Sequence, residues 1–218
     1  MKAPKKTSIF FADEQTLLRE GLRQICEATG RFRVVGHCGD GRSAVKMIRT
    51  LWPDIAVLDL GLPKMYAPAV IQAVRQGGVS LKVLVLSMRR DRKTVLEVLR
   101  GGANGYLLKS DPVACLLQGL DDILSGGIYI SPQFKPAEVF AAKSGTLPLK
   151  PYERLSTREH QVFTMLVDGL RTKDIANHLD LSPKTISTYR TNLMAKLSMH
   201  DVPALVKFAI RRNLIPLG

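Results

Sequence analysis

The sequence predicts two folded units: an α/β doubly wound parallel sheet of five strands, followed by an all-α unit of four helices. Three observations carry this. Residues 7–125 alternate short, β-rich apolar runs with segments of helical period. The periodicity lapses after Ile128 in a stretch holding Pro132, Pro136, Pro148 and Pro151. Beyond it, helix-start and helix-stop signals recur to the end.

The strands are "TSIFFA" (7–12), "FRVVGHC" (32–38), "DIAVLDL" (54–60), "LKVLVLS" (81–87) and "GYLLK" (105–109). Each precedes a helical segment: "EQTLLREGLRQICEAT", "GRSAVKMIRTL", "APAVIQAVRQG", "RKTVLEVLRGG" and "DPVACLLQGLDDILSGG". The first helix places Leu17, Leu18, Leu22, Ile25 and Cys26 on one face. Strand–helix alternation implies βαβ crossovers and a parallel sheet. Runs such as "VLVL" suit strands covered on both faces. This unit takes residues 1–127, and 128–150 reads as a connector with one short helix at 136–143.

In the remainder (151–218), Ser156 and Glu159 form a capping-box pattern before "HQVFTMLVDG", which stops at Gly169. Thr172 opens "KDIANHL". Ser182 and Pro183 pair an N-cap with a first-turn proline before "KTISTYRTNLMAKL". Asp201 can cap "VPALVKFAIRRN".

Composition narrows the function classes. Hydrophobic content of 45% supports a packed core. No apolar run reaches the roughly 18 residues that span a bilayer, and the basic N-terminus has too short an apolar stretch for a signal peptide. A soluble, cytoplasmic chain is expected, with no membrane partner. Cys26, Cys38 and Cys115 are odd in number and widely spaced, and read as free thiols. The four histidines show no metal-ligand spacing. Net charge is +13. Residues 1–149 hold 21 Lys and Arg against 13 Asp and Glu, and residues 150–218 hold 11 against 6. Both units are basic, which suits a polyanionic partner.

In a doubly wound sheet, chemistry gathers at the carboxyl ends of the strands. Asp13 and Glu14 follow the first strand, Asp59 ends the third, Ser87 the fourth and Lys109 the fifth. A single aspartate after a strand is more often a turn former than a nucleophile. The joint pattern at successive strand ends points instead to one site. Three clustered carboxylates need a cation, and an all-oxygen set suits Mg²⁺. Lys109 and Ser87 can receive phosphoryl oxygens, and an aspartate can form an acyl phosphate.

This pattern resembles the receiver domain of two-component response regulators, a flavodoxin-like fold, over residues 7–126. "FFADEQTLLREGL" resembles its first strand and acidic pair, "VLDLGLP" its phosphoacceptor strand, "LVLSM" its switch hydroxyl, and "GANGYLLKS" its switch aromatic and lysine. The resemblance implies Asp59 as phosphoacceptor and Asp13, Glu14, Asp59 and the Gly61 carbonyl as Mg²⁺ ligands. It also implies Ser87 and Lys109 as phosphoryl ligands and Tyr106 as the switch. The chain departs from the pattern at Glu14, where Asp is common, and at Gln15, where His is frequent. "PKMYAPAV" lacks the usual Gly-x-Asp-Gly turn, and "SMRRDR" is more basic than most equivalents.

"RTKDIANHLDLSPKTISTYRTNLMAKL" reads as two helices joined by a tight turn. Ile175, Ala176 and Leu179 line the inside of the first. Ile186, Tyr189, Leu193 and Leu197 line the inside of the second. The outer face of the second shows Lys184, Ser187, Thr188, Thr191 and Arg190, a composition suited to a major groove. The whole segment from "LSTRE" resembles the LuxR-type helix-turn-helix domain over about residues 150–216, and a receiver followed by this domain is the FixJ/NarL class. Thr172, Lys173, Lys184, Thr185, Arg190 and Lys196 are phosphate candidates, and Ser187, Thr188 and Thr191 base-edge candidates. The stripe Val202, Leu205, Val206, Ala209 and Ile210 on the last helix serves dimerisation in the family, or simple packing. The implied partners are a sensor histidine kinase, double-stranded promoter DNA and a second copy of the chain. The alternative is a DNA-binding regulator that works without phosphorylation. A turnover phosphotransferase is disfavoured by the helical unit.

Overall fold

The computed structural model describes residues 6–135, Val139 and 151–211. Two compact units emerge, Met1–Ala142 and Lys143–Gly218.

In the first unit, β1 (Thr7–Ala12), β2 (Phe32–Cys38), β3 (Ile55–Asp59), β4 (Lys82–Ser87), β5 (Gly105–Leu108) and β6 (Tyr129–Ile130) form one sheet. Its order is β2-β1-β3-β4-β5-β6, and every pairing is parallel. The five expected strands are thus joined by a sixth. Residues 129–130 lie where hydrophobic period had lapsed, and two residues are too few to show one. They form a strand because Tyr129 and Ile130 pair with Gly105 and Tyr106 on the open edge of β5. The expected helix at 136–143 lies outside the described residues apart from Val139.

The helices are α1 (Thr16–Ala28), α2 (Gly41–Leu51), α3 (Ala67–Gln76), α4 (Arg92–Arg100) and α5 (Val113–Leu124). Alternating strand residues point to opposite faces. Phe10, Leu58 and Val85 pack with Ile48, Val70 and Val98 of α2, α3 and α4. Ile9, Val57 and Leu84 pack with Cys26, Leu116 and Leu120 of α1 and α5. Both faces are therefore dry, which explains the unbroken apolar strands. One residue leaves its expected place: Leu17 is 89% exposed. It lies on the rim of a groove of about 240 Å³ between α1 and α5, with Val113 opposite.

In the second unit, a 3-10 turn (Pro151–Arg154) precedes α6 (Thr157–Val167), α7 (Thr172–Leu179), α8 (Pro183–Leu197) and α9 (Val202–Arg211). The Ser156 hydroxyl accepts from Glu159 N while Glu159 Oε2 accepts from Ser156 N, a complete capping box. Gly169, at φ +85°, supplies the left-handed residue that ends α6. Ser182 caps α8 through Thr185 N, and Asp201 accepts from Ala204 N at the start of α9. Ile175, Ile186, Leu193, Leu197, Leu205 and Ala209 form the core. Leu205 and Ala209 of the α9 stripe are used within their own unit, with Val202 and Val206 packed against that core. Among the described residues, no helix is long and apolar enough to cross a membrane.

Candidate functional site

The carboxyl ends of β1, β3 and β5 bring Asp13, Asp59 and Lys109 together. Lys109 Nζ lies 2.7 Å from Asp13 Oδ2 and 2.9 Å from Asp59 Oδ1. Asp13 is 2% exposed, because it leaves a strand covered on both faces. Its main chain is fixed by a bond from Asp13 N to Cys38 O and by Arg19 Nη1, which donates to Asp13 O. Its Oδ1 accepts from Gln15 N. Its Oδ2 makes no well-directed hydrogen bond and meets Lys109 as an ion pair. Asp59 Oδ2 accepts from Gly61 N, which turns the chain immediately after the strand.

Burial pushes the Asp59 carboxyl above its ordinary range. Lys109 opposes that shift and Asp13 reinforces it. Burial also favours a neutral Lys109 amine, but Asp59 and Asp13 outweigh it and hold its pKa above the ordinary value. Two anions thus share one cation in a place poor in water. Such an arrangement accommodates further positive charge.

Glu14 is exposed, whereas Asp13 beside it in sequence is buried. Among the described residues, no three His, Cys, Asp or Glu side chains converge closely enough to hold a metal ion by themselves. The donor chemistry still fits Mg²⁺, which binds through one or two carboxylates, takes carbonyl oxygen and keeps several waters. Asp13 Oδ2, buried without a directed hydrogen bond, is the observation that carries this fit.

Ser87 is buried, and its Oγ accepts from Arg89 N at 3.0 Å. Its hydroxyl also makes a side-chain hydrogen bond with Tyr106. The Tyr106 ring is 0% exposed, and its hydroxyl donates to Arg89 O at 2.8 Å. The inward tyrosine and the strand-end serine thus touch the same residue's backbone. Burial pushes the Tyr106 phenol well above its ordinary pKa.

The unusual β3–α3 loop is anchored on the start of α2. Gly41 N donates to Pro63 O, and Lys64 Nζ lies 3.2 Å from Asp40 Oδ2. A Cβ at Gly41 would meet Met65 O at 1.8 Å, so only glycine allows this approach. Lys64 itself takes φ +60°.

On the second unit, Lys184, Ser187, Thr188, Arg190 and Thr191 are exposed on α8, and Lys173 is exposed on α7. The Ser187, Thr188 and Thr191 hydroxyls each donate to the carbonyl four residues back. As they stand, they offer acceptor lone pairs outward. Thr172 opens α7, half-buried, and Thr185 is half-buried against the Ser182 cap. Lys196 is committed elsewhere: its Nζ lies 2.7 Å from both Glu159 oxygens. It fastens α8 to α6, and binding phosphate would cost that bond. Tyr189 is half-buried against the core.

Sequence reasoning missed Arg19, Arg89, Ser131 and Phe134. Arg19 and Arg89 act on or through backbone oxygens, which side-chain patterns do not reveal. Ser131 and Phe134 lie in the stretch without periodicity.

A family described as "Response regulator receiver domain" matches residues 9–120. One described as "Bacterial regulatory proteins, luxR family" matches residues 153–209. The chain is 28% identical over 207 residues to the response regulator UvrY of Escherichia coli, covering 95% of each. It is 32% identical over 209 residues to a putative transcriptional regulator of Pseudomonas aeruginosa, covering 96% of this chain and 100% of that one. Its fold is similar to RcsB of Salmonella enterica serovar Typhimurium, solved bound to a promoter in the presence of phosphomimetic BeF3⁻. That likeness has a TM-score of 0.67 at 24% identity and covers 94% of this chain and 98% of that one. Receiver and helix-turn-helix units in this order, each matched by its own family, make this chain a two-component response regulator of the LuxR/NarL class.

Proposed function

We infer that this regulator is switched by phosphorylation of Asp59 and binds promoter DNA as a dimer through α8. The observation that carries the reading is the Asp13–Lys109–Asp59 arrangement, a buried and a half-buried carboxylate on one lysine. Asp13, Asp59 and the Gly61 carbonyl would hold Mg²⁺, with Glu14 beside Asp13 in sequence. When bound, the ion supplies positive charge towards the transferring phosphoryl group. An Asp59 oxygen attacks phosphorus, and the bond from phosphorus to the donor breaks. For a kinase phosphohistidine, the electron pair leaves on the imidazole nitrogen. Lys109 neutralises the phosphoryl oxygens and Ser87 turns its hydroxyl proton from Tyr106 to one of them. The Ser87–Arg89–Tyr106 contacts relay that change to the β4–α4 surface. Lys173, Lys184 and Arg190 contact phosphates, with Thr172 and Thr185 at the two helix starts. Ser187, Thr188 and Thr191 face base edges. Two-fold dimers read paired half-sites.

A second reading is favoured by one observation: Tyr106 already sits fully inward. On that reading the chain binds DNA without phosphorylation. Promoter binding by the full chain, with and without Mg²⁺ and beryllofluoride, separates the two. Tighter binding with the analogue in the wild type, absent in Asp59→Asn, supports phosphorylation control. Equal, tight binding in all four conditions supports the second reading.

A further inference from the structure

The chain that leaves the sheet towards the second unit is attached to Tyr106 itself. Ile130 pairs with Tyr106 in the β5–β6 register. Ser131 N donates to Tyr106 O at 2.9 Å. The Ser131 hydroxyl, 0% exposed, accepts from Leu108 N at 2.7 Å. Phe134 then meets the tyrosine ring edge-on, with centroids 5.9 Å apart and planes at 75°. Gln133 Nε2 donates to Asp111 Oδ1. Arg92 Nε, at the start of α4, donates to Val139 O at 2.9 Å. Val139 is 2% exposed and belongs to the same core cluster as Tyr106. On its other side, the Tyr106 hydroxyl reaches Arg89 O, and Arg89 N reaches Ser87. One contact path therefore runs from Ser87 through Arg89 and Tyr106 to Phe134.

We propose that Ser131 and Phe134 are positioning residues for the switch: they hold Tyr106 in its inward seat and so favour the phosphorylated state of the receiver. The proposal rests on Asp59 being the phosphoacceptor. An outward ring would abandon the edge-on contact with Phe134 and the hydroxyl bond to Arg89 O. Docking of residues 129–134 and the inward ring therefore stabilise each other. A phosphoryl group that draws Ser87 towards it selects that same arrangement. Coupling between two such events is reciprocal. Loosening Phe134 must weaken phosphoryl-analogue binding about as much as the analogue tightens the docked segment. The segment opens the stretch of chain that precedes the helical unit in sequence, so this coupling carries the state of Asp59 to the start of that stretch.

The test is titration of the full-length chain with beryllofluoride at saturating Mg²⁺, and separately with Mg²⁺ alone. Phe134→Ala should weaken analogue binding about three- to tenfold, the range of one edge-to-face aromatic pair. Its Mg²⁺ affinity should stay at the wild-type value. Phe134→Tyr keeps the ring and should restore analogue binding. Ser131→Ala, which removes the acceptor for Leu108 N, should shift it in the same direction as Phe134→Ala. A general structural defect would lower Mg²⁺ and analogue affinity together, and that result overturns the proposal. So does wild-type analogue affinity in both Phe134→Ala and Ser131→Ala. Absence of Mg²⁺-dependent analogue binding in the wild type, or full binding in Asp59→Asn, contradicts the Asp59 assignment first and this proposal with it.

Discussion

Each unit of this chain sets a buried carboxylate against a lysine, and the two pairings have opposite character. In the receiver, Lys109 serves Asp13 and Asp59 at once, and burial leaves the Asp59 carboxyl above its ordinary range. In the helical unit, Glu159 is 4% exposed but fully served. Burial disfavours its charge, yet Lys196, Ser156 N and the Ser156 hydroxyl together hold its pKa below the ordinary value. Residue chemistry is nearly the same in both places, and the supply of donors differs. A carboxylate short of donors can accept a cation or a new bond. One with a full complement acts as a fastener.

The contrast can be broken by removing each lysine. Lys109→Ala should cut acyl-phosphate formation about 100-fold, the scale of losing one charge stabiliser at a reacting group. Labelling with a small phosphodonor measures this, with circular dichroism checking that the fold is retained. Lys196→Ala should leave phosphorylation unchanged and destabilise the helical unit by about 2 kcal/mol, because Glu159 stays buried without its cation. Calorimetry should show that unit melting about 10 °C lower. A phosphorylation defect in Lys196→Ala would erase the distinction.

Acid titration sharpens the same contrast through opposite signs. Asp59 has a raised folded pKa, so its contribution to stability is present at low pH and lost as pH rises through that value. Asp59→Asn should therefore stabilise the receiver at neutral pH, and the gain should vanish on acidification below the folded pKa. Glu159 has a lowered folded pKa, so its contribution is present at neutral pH and lost as pH falls through that value. Glu159→Gln should cost stability at neutral pH, and the cost should shrink in acid. Denaturant midpoints against pH measure both differences.

The smallest effect concerns the loop. Lys64 holds a left-handed conformation that costs a non-glycine residue about 1 kcal/mol, and its exposed pair with Asp40 is worth up to about 1 kcal/mol. Lys64→Gly should therefore change receiver stability by less than about 1 kcal/mol, as read from the denaturant midpoint.

Much of this was legible beforehand, for physical reasons. Unbroken apolar strands and helix caps leave marks in side-chain order, so among the described residues five strands and nine helices lie where periodicity and capping put them. Asp13, Asp59, Ser87 and Lys109 were legible because strand ends in a parallel sheet share one rim. Strand β6 was not, because its two residues form an edge by backbone pairing. Leu17 followed the helical stripe yet sits on an open groove, since a stripe cannot tell whether a neighbour covers it. Lys196 reads as a phosphate candidate because its charge is visible in sequence, whereas its pairing with Glu159, 37 residues away, is not. The brace between Gly41 and Met65 is likewise a backbone contact that no side-chain pattern announces.

The most direct test is chemical. The full-length chain is incubated with Mg²⁺ and a small phosphodonor, the acyl phosphate is trapped by borohydride reduction, and the modified residue is located by mass spectrometry. The account predicts a single Mg²⁺-dependent modification at Asp59, absent in Asp59→Asn. Modification at another carboxylate, or none under conditions where the chain is folded, would contradict it.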